Sequence, residues 1–311
     1  MEKKAIERAL VIGYGSIGQR HARILDEELG CSVAVVSRRQ VDFATVFDDL
    51  AQALDSWQPG YVVIADRTSE HYATLAELMA AGFDGRILIE KPLFSEYRHA
   101  PTGLLTRVAV AYNLRFHPLL TRLKASLAAG ERVISAHVYT GQYLPFWRPG
   151  TDYTQSYSSR QAEGGGVLRD ISHELDYCAW LLGPWKRLTA LGGRYGALEI
   201  DTEDCFSILM ETEHCPLLTI HLNYLDRTAR REISVNTVDH SYRADLVNGV
   251  FEIDGEGESV PVVRDQTYRA EHQAMLGEED SMLCTLNEGL NVLATIAAIE
   301  QANCEHRWVE R

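Results

Sequence analysis

The chain has 311 residues, of which 46% are hydrophobic and 24% charged, and its formal net charge is −14. This length is sufficient for two domains and a sizeable core. The acidic balance argues against a general binder of nucleic acid or anionic membranes, because clustered Lys and Arg hold phosphate groups in such proteins. An anionic small molecule remains compatible with this charge, provided that positive residues gather locally.

The six cysteines, at positions 31, 178, 205, 215, 284 and 304, are scattered without a C-x-x-C pair or a paired Cys/His spacing. This pattern is typical of reduced core cysteines and not of a disulfide framework or a zinc site, so we expect no metal. The first residues lack the apolar core of a signal peptide, and no apolar run reaches membrane-spanning length. We therefore expect a cytoplasmic protein.

The first motif joins a strand, a glycine turn and a helix. Apolar residues 9–12 lead into Gly13-Tyr14-Gly15-Ser16-Ile17-Gly18, and apolar residues at helical spacing follow. In this context the first glycine permits a tight turn, the second lets a pyrophosphate approach the backbone, and the third lets helix and strand pack closely. The helix N-terminus then offers N–H groups to the phosphates. We interpret residues 13–18 as a dinucleotide-binding turn; the alternative is a purely structural glycine turn.

The second predicted strand, residues 31–36, ends in Ser37-Arg38-Arg39, and no acidic residue follows before Asp42. A site that prefers NAD usually places Asp or Glu at this position to bind the ribose 2′-hydroxyl. A hydroxyl followed by two guanidiniums instead suits a 2′-phosphate, which Arg can bind through two hydrogen bonds. The sequence therefore favours NADP(H), with a solvated basic turn as the alternative.

Strands and helices alternate through the rest of the first third. We predict strands at 61–65, 86–89 and 108–113, a short acidic helix at 46–54, and a helix that ends at Gly82. This alternation predicts an α/β domain with a Rossmann-type doubly wound parallel sheet. Right-handed crossovers place the carboxyl ends of all its strands on one edge. The residues predicted to border a dinucleotide there are Ser37, Asp66, Arg67, Thr68, His71, Glu90, Lys91 and Asn113.

Glu90-Lys91-Pro92 follows the buried strand at 86–89. Proline lacks the N–H that a strand ladder needs, so the strand must end here. In open α/β sheets, ligands bind at the carboxyl edge, and Lys91 is therefore a candidate functional residue. The alternative is a salt-bridge partner at a strand end. A cis Lys91–Pro92 bond is a further hypothesis, because such a turn could aim the lysine into the cleft.

After Pro118 the pattern changes to that of an α+β domain with a large, mostly antiparallel sheet. The sequence divides into a domain at 1–118 and a second at 119–311. Helices are predicted at 119–129, 170–182 and 282–302, and the acidic stretch 254–258 is interpreted as a solvated turn. Strands are predicted at 133–139, 188–194, 205–211, 217–224, 231–236 and 246–254.

An aromatic loop lies within this second domain. Tyr143, Trp147, Arg148 and Tyr153 offer rings with polar tips, which is a surface that sugars bind. The alternative is that these aromatics pin down a long loop. His173 follows the glycines at 164–166, and the alternative to a functional role for it is a helix-surface histidine.

These motifs together resemble the glucose–fructose oxidoreductase / inositol dehydrogenase (Gfo/Idh/MocA) family of NAD(P)-dependent sugar oxidoreductases. The resemblance runs from residue 9 to about residue 250. It is carried by residues 13–18, the loop ending in His71, Glu90-Lys91-Pro92, residues 112–118 and residues 164–176. Two departures stand out: Asp66-Arg67 replaces a common Thr-Pro, and two residues separate Asp170 from His173 where three are usual, which puts the role of Asp170 in doubt.

The resemblance implies hydride transfer between NADP(H) and a hydroxyl or keto carbon of a sugar or sugar-derived substrate, nucleotide-linked and acidic sugars included. His173 is the expected general acid/base, Lys91 holds the reacting oxygen, and Asp170 orients His173. The residues expected to contact substrate are Arg115, Tyr143, Trp147, Arg148 and Tyr153. The resemblance also implies a homodimer or homotetramer formed through the second domain's sheet.

Two other functions are compatible with the sequence. One is a non-catalytic dinucleotide-binding regulator of the same fold, which has no need of both Lys91 and His173. The other is a reductase of a non-sugar carbonyl or related group, such as an imine or a tetrapyrrole. The aromatic loop favours a hydroxyl-rich ligand over the latter.

Overall fold

The computed structural model describes residues 7–101, 107–128, 130–277 and 281–311. Contacts between Cα atoms divide the chain into two units. The first comprises Met1–Phe116 and Arg264–Leu290, and the second His117–Val263 and Asn291–Arg311. The first break falls close to the predicted one after residue 118. The predicted division, however, assigned every later residue to the second domain, whereas 264–290 groups with the first unit.

The elements of the two units are named in chain order. The strands are β1 (Arg8–Ile12), β2 (Ser32–Val36), β3 (Val46–Phe47), β4 (Tyr61–Ile64), β5 (Arg86–Ile89), β6 (Val108–Val110), β7 (Val133–Gly141), β8 (Trp185–Gly193), β9 (Cys205–Thr212), β10 (Leu218–Asn223), β11 (Arg230–Thr237), β12 (Ser241–Asp245), β13 (Val250–Ile253), β14 (Glu256–Ser259), β15 (Cys284–Thr285) and β16 (Val309–Glu310). The helices are α1 (Ser16–Arg23), α2 (Leu50–Trp57), α3 (His71–Ala80), α4 (Pro118–Leu127), α5 (Val167–Asp170), α6 (His173–Leu182), α7 (Gln266–Leu276) and α8 (Leu286–Glu305). Within the described residues, no helix is both long and apolar enough to cross a membrane.

The described strands of the first unit form one sheet in the order β15-β6-β5-β4-β1-β2-β3. β1 to β6 pair in parallel, and β15 pairs antiparallel with β6. Val11, Val35, Val63 and Leu88 are buried in one core cluster, as expected for strands covered on both faces. The predicted Rossmann-type sheet is confirmed.

One local prediction in this unit was wrong, and one helix was not predicted. Residues 46–54 do not form one helix: β3 occupies Val46–Phe47, and α2 begins only at Leu50. The helix starts there because the Asp49 carboxylate accepts a hydrogen bond from the Gln52 N–H at 2.8 Å, which is an N-cap contact. Helix α7 was not predicted, although Met275 on it is buried in the same core cluster.

The described strands of the second unit form a sheet in the order β14-β13-β12-β11-β7-β10-β9-β8-β16. Among them β7 and β10 run parallel and the other neighbours antiparallel, so the predicted mostly antiparallel sheet is confirmed. Residues 246–254 are not one strand, because the chain turns between β12 and β13. Asp254 and Gly255, both at positive φ, form the tight turn into β14, so the predicted solvated turn is confined to these two residues.

The remaining helix boundaries also differ from prediction. The predicted helix at 170–182 is two helices, α5 and α6, and the backbone at Ile171 is not helical. The predicted helix at 282–302 begins at Leu286 and continues to Glu305. Residue 129, at the end of the predicted helix 119–129, lies outside the described residues.

His117 makes the second unit's stability sensitive to acid. It is buried and caps α4, where its Nδ1 accepts from the Leu119 N–H at 3.3 Å. Burial, followed by the Arg231 charge, lowers the pKa of His117 to about 4. The folded protein thus keeps His117 neutral, whereas an unfolded chain protonates it near pH 6.5. The contribution of His117 to the free energy of unfolding, about 3 kcal/mol at most, is fully present above pH 6.5. It is lost as the pH falls toward 4.

We expect His117→Asn to remove this share of the acid sensitivity, because asparagine still caps the helix but does not titrate. The free energy of unfolding, measured in urea between pH 7 and pH 4, should fall less steeply in the variant. His306→Asn is the matched control, since His306 is exposed and its φ of 52° is tolerated by asparagine. Equal slopes for wild type and His117→Asn would contradict the prediction.

Candidate active site

The glycine turn has the shape that a pyrophosphate requires. Gly13 has φ +91°, and a Cβ added there would lie 2.6 Å from backbone atoms of Ala65 and Asp66. A Cβ on Gly18 would lie 2.0 Å from the Gly13 carbonyl oxygen, whereas one on Gly15 would meet no atom within 4 Å. Helix α1 begins at the next residue and has no acid in its first turn. Open space over Gly15 and a helix N-terminus beside it fit the phosphates of a dinucleotide.

Two alanine substitutions should separate the structural from the binding glycines. Gly18→Ala forces a contact with backbone and should lower the free energy of unfolding by about 1–3 kcal/mol, the usual cost of overpacking. Gly15→Ala should leave stability nearly unchanged, because its φ of −79° suits alanine. It should nevertheless weaken NADPH binding, measured by fluorescence titration. Undiminished binding by Gly15→Ala would show that the phosphates do not approach this residue.

At the end of β2, Ser37, Arg38 and Arg39 lie where the 2′-phosphate was predicted to bind. The Ser37 hydroxyl donates to the Arg39 carbonyl at 2.9 Å, so this turn is closed locally. Both guanidiniums are on exposed residues. Arg38 forms an ion pair with Glu70, a residue that the sequence analysis did not single out. The basic turn is thus accessible, and one of its two charges has an acidic neighbour.

The loop after β4 carries Asp66, Arg67, Thr68 and His71. Asp66 accepts from the Thr74 hydroxyl at 2.6 Å, and burial raises the pKa of its carboxyl group. Arg67 is exposed and Thr68 half-buried. These positions agree with a loop at the carboxyl edge of the sheet; their predicted contacts with coenzyme stay predictions.

His71 is buried and supports the segment that follows Lys91. Its Nδ1 lies 3.2 Å from the carbonyl oxygens of both Pro92 and Leu93, to which it can donate. The imidazole therefore anchors the proline turn from the first turn of α3. Its predicted contact with coenzyme stays a prediction.

Glu90 fixes the backbone at Lys91. The Glu90 carboxylate accepts from the His21 ring at 2.9 Å through one oxygen and from the Lys91 N–H at 2.9 Å through the other. Burial alone would raise the pKa of Glu90, but the hydrogen bond from His21 and the Lys91 charge are among the effects that outweigh burial and lower the pKa. The Lys91–Pro92 bond is cis, as hypothesised. Lys91 is half-buried at the carboxyl end of β5.

Asn113 and Arg115 form hydrogen bonds with residues 264–290, which return to the first unit and are called the returning segment. The Asn113 amide donates to the Thr267 hydroxyl at 2.7 Å. Arg115 is 2% exposed and donates to the Leu283 carbonyl at 3.2 Å and to Glu288 at 3.0 Å. The Arg115 guanidinium is thus buried and bonded to Glu288, and its predicted contact with substrate stays a prediction.

In the second unit, Asp170 lies among tyrosines. Its carboxylate accepts from the Tyr224 hydroxyl at 2.7 Å. Burial, then the Asp170 charge, raises the pKa of Tyr224 and that of Tyr157 well above the usual value. His173 is 9% exposed at the start of α6, one turn of chain beyond Asp170. Tyr224 was not singled out from the sequence, since its hydrogen bond to Asp170 spans 54 residues.

The aromatic loop is held by contacts of its own side chains and also lines a pocket, and its predicted contact with a sugar stays a prediction. Tyr143 packs edge-on against Phe146 and lies under the Arg227 guanidinium, contacts that pin the loop. The Tyr153 hydroxyl accepts from the Glu199 N–H at 3.2 Å. Nevertheless, Trp147, Arg148 and Tyr153 also line a small pocket. Its full lining comprises Leu144, Pro145, Trp147, Arg148, Thr151, Tyr153, Ser156 and Ser158.

The first unit combines a doubly wound parallel sheet with a glycine turn at a helix N-terminus. These features are typical of a dinucleotide-binding protein. Comparison with known families agrees. Residues 7–104 match the family described as "Oxidoreductase family, NAD-binding Rossmann fold", and residues 121–256 match the "GFO/IDH/MocA C-terminal domain". The chain belongs to the Gfo/Idh/MocA family and is a dehydrogenase or reductase that binds NAD(P).

Solved structures share the whole fold. Levoglucosan dehydrogenase in complex with NADH is 15% identical, with a TM-score of 0.81 and 98% of each chain covered. GenD2 from gentamicin A biosynthesis, in complex with NAD, is 23% identical, with a TM-score of 0.77 over 98% of this chain and 96% of its own. The WlbA dehydrogenase of Bordetella pertussis, in complex with NADH and UDP-GlcNAcA, is 17% identical, with a TM-score of 0.78 and 98% of each chain covered.

A curated relative matches over a shorter stretch. YteT of Bacillus subtilis (strain 168) is 24% identical over 132 residues, which are 40% of this chain and 30% of YteT. The match therefore spans less than a third of that relative's length. At these identities the solved structures establish the fold, and substrate has to be inferred from this chain's own residues.

Proposed function

We propose that the protein catalyses NADP(H)-dependent hydride transfer to or from a hydroxyl or keto carbon of a sugar or sugar-derived substrate. The observation that carries the proposal is the placement of Lys91. Its backbone is held by a buried carboxylate, on the sheet edge that also carries the glycine turn. When bound, the nicotinamide gives or takes the hydride, and the protein has to position the reacting carbon and manage a proton.

His173 and Lys91 have different roles in this proposal: one transfers a proton, and the other stabilises charge on the reacting oxygen. Oxidation of an alcohol requires removal of its O–H proton as the hydride leaves, and reduction requires the reverse. His173 exchanges that proton, since imidazole titrates near neutral pH. The Lys91 ammonium binds the reacting oxygen and stabilises the negative charge that develops on it. Asp170 contributes through the tyrosines around it or by orienting His173.

The substrate class rests on the pocket in the second unit. Trp147 and Tyr153 offer ring faces to sugar C–H groups, and Arg148 offers a charge to a carboxylate or phosphate. The neighbours lend support, because their complexes contain levoglucosan, L-sorbose and UDP-GlcNAcA. An acidic or nucleotide-linked sugar would use Arg148 more fully than a neutral one.

A sugar panel tests this proposal. We would supply levoglucosan, L-sorbose or UDP-GlcNAcA with NADP⁺ or NADPH and follow the nicotinamide absorbance. Turnover of one of these sugars, or of a close relative of it, is the expected result. Turnover confined to imines or other non-sugar carbonyls would overturn the substrate class while leaving the hydride chemistry in place.

The basic turn after β2 should set coenzyme preference. Replacing Arg38 and Arg39 with alanine should weaken NADPH at least tenfold more than NADH, because only NADPH carries the 2′-phosphate. Glu70→Gln should act in the opposite direction, since it frees Arg38 from its ion pair and removes a negative charge beside the phosphate. Dissociation constants from fluorescence titration check both. Equal losses for the two coenzymes in the double variant would refute the NADP assignment.

We also propose that the protein forms a homodimer or homotetramer through the large sheet. Along β10, Leu218, Ile220 and Leu222 are buried, whereas Thr219 and His221 between them are half-buried. One sheet face is thus covered within the chain, and the other is accessible to a second copy. Light scattering in solution tests the proposal, and a monomer at micromolar concentration would contradict it.

A further inference from the structure

A continuous chain of buried hydrogen bonds runs through the first unit and ends at Glu90. His21 Nε2 lies 2.9 Å from the Glu90 carboxylate, and His21 Nδ1 lies 2.8 Å from His272 Nε2. His272 Nδ1 in turn lies 2.8 Å from the Tyr61 hydroxyl. Both histidines and Tyr61 are 0% exposed and Glu90 is 7% exposed. We call Tyr61–His272–His21–Glu90 the histidine relay.

The relay joins elements that are far apart in sequence. Tyr61 begins β4, His21 lies on α1, and Glu90 follows β5. His272 lies on α7, 251 residues from its partner His21. The returning segment thus supplies a polar side chain to the interior beneath the glycine-turn helix.

With both rings neutral, a single direction of donation satisfies every relay atom. Tyr61 donates to His272 Nδ1, His272 Nε2–H donates to His21 Nδ1, and His21 Nε2–H donates to the carboxylate. Burial, which is the largest cause, lowers the pKa of His272 well below its usual value, so this ring stays neutral. Burial also raises the pKa of Tyr61 well above its usual value, so the phenol keeps its proton.

We propose that the histidine relay positions Lys91 and that His272 is a positioning residue supplied by the returning segment. A buried carboxylate needs hydrogen-bond donors to fix its orientation. Glu90 receives one donor from the relay and uses its other oxygen to hold the Lys91 N–H. Loss of His272 leaves His21 Nδ1 without this partner and one side of the ring without support, so the His21 ring can shift and take with it the carboxylate that it orients.

The relay matters for turnover only if Lys91 has the role proposed above, so the test reads the position of Lys91 without turnover. Lys91 is one of five lysines in the chain. Reductive methylation with ¹³C-formaldehyde labels each lysine amine, and Lys91→Arg identifies its resonance by deletion. Near-ultraviolet circular dichroism of each variant verifies that it is folded.

Three relay variants and one control are compared. His272→Leu removes the donor to His21, whereas His272→Gln keeps an amide N–H where the imidazole Nε2–H was. Tyr61→Phe removes only the far hydroxyl. Arg269→Gln is the control, since it breaks the ion pair of the same helix with Glu28 and touches no relay atom.

The Lys91 resonance should move clearly in His272→Leu, move less in Tyr61→Phe, and stay near its wild-type position in His272→Gln and in Arg269→Gln. An unmoved resonance in folded His272→Leu would overturn the proposal. A shift in Arg269→Gln as large as that in Tyr61→Phe would also overturn it, because it would show that any disturbance of α7 moves the lysine. If His272→Leu fails to fold, Tyr61→Phe decides, and an unmoved Lys91 resonance there overturns the proposal.

This readout separates the relay from the reaction. A shifted Lys91 in a protein whose Lys91 variants retain turnover would support the relay and refute the catalytic role of the lysine. The converse, an unmoved Lys91 whose removal abolishes turnover, would refute the relay alone.

Discussion

Replacing Lys91 with methionine is expected to lower kcat by about a hundredfold to a thousandfold, the usual loss when one charge-stabilising donor is removed from a reacting oxygen. Methionine keeps the length of the side chain and removes its charge. The hydrogen bond from the Lys91 N–H to Glu90 is a backbone contact and survives the change. NADPH should therefore still bind, because the glycine turn is untouched.

Lys186→Met is the matched control, since Lys186 is an exposed lysine on β8 in the second unit. Steady-state turnover of whichever panel sugar reacts gives kcat, and fluorescence titration gives NADPH affinity. Retained turnover in Lys91→Met would remove the lysine from the mechanism. A parallel loss of NADPH affinity would instead assign Lys91 to coenzyme binding alone.

Replacing His173 with alanine is expected to lower kcat/KM by about a hundredfold to ten-thousandfold, the range for loss of a general acid or base. The pH profile should change as well, because the ionisation that switches His173 between proton donor and acceptor would be gone. Helix α6 begins at His173 and should tolerate alanine there, because alanine has the highest helix propensity.

His214→Ala is the control, since His214 is exposed in the same unit. The pH profile of kcat/KM is the decisive measurement. A profile that keeps both limbs in His173→Ala would assign the proton to another residue. Asp170→Asn should have a smaller effect than His173→Ala, because the Asp170 carboxylate is engaged by Tyr224 and an amide oxygen can still accept that hydrogen bond.

The parallel sheet and the glycine turn could be predicted from local sequence. Apolar strands ending in turn residues appear directly in the chain, and residues 86–89 match β5 in the structure. The short β3 could not be predicted, because two residues carry no periodicity. The predicted strand at 246–254 overlooked Asn248-Gly249, a dipeptide typical of tight turns, which lies in the loop between β12 and β13.

Contacts between residues that are far apart in the sequence could not be predicted from local sequence patterns. Nothing in residues 264–290 indicates that they return to the first unit, and the partners of Arg115 lie on that segment. The motif that contains Arg115 therefore could not indicate its hydrogen bond to Glu288, which lies 173 residues away. The hydrogen bond between His21 and His272 could not be predicted either, because 251 residues separate the two histidines in the sequence.

The most direct test of hydride transfer is isotopic. The protein would be incubated with NADPH deuterated at the nicotinamide C4, a trace of NADP⁺ and the sugar panel, so that reaction in either direction carries label into a sugar C–H bond. Mass spectrometry of the recovered sugars should find deuterium on one carbon of one panel member or of its close relative, and Lys91→Met should slow this labelling by about a hundredfold to a thousandfold. A protein that binds NADPH but transfers deuterium to no sugar would contradict the proposed function.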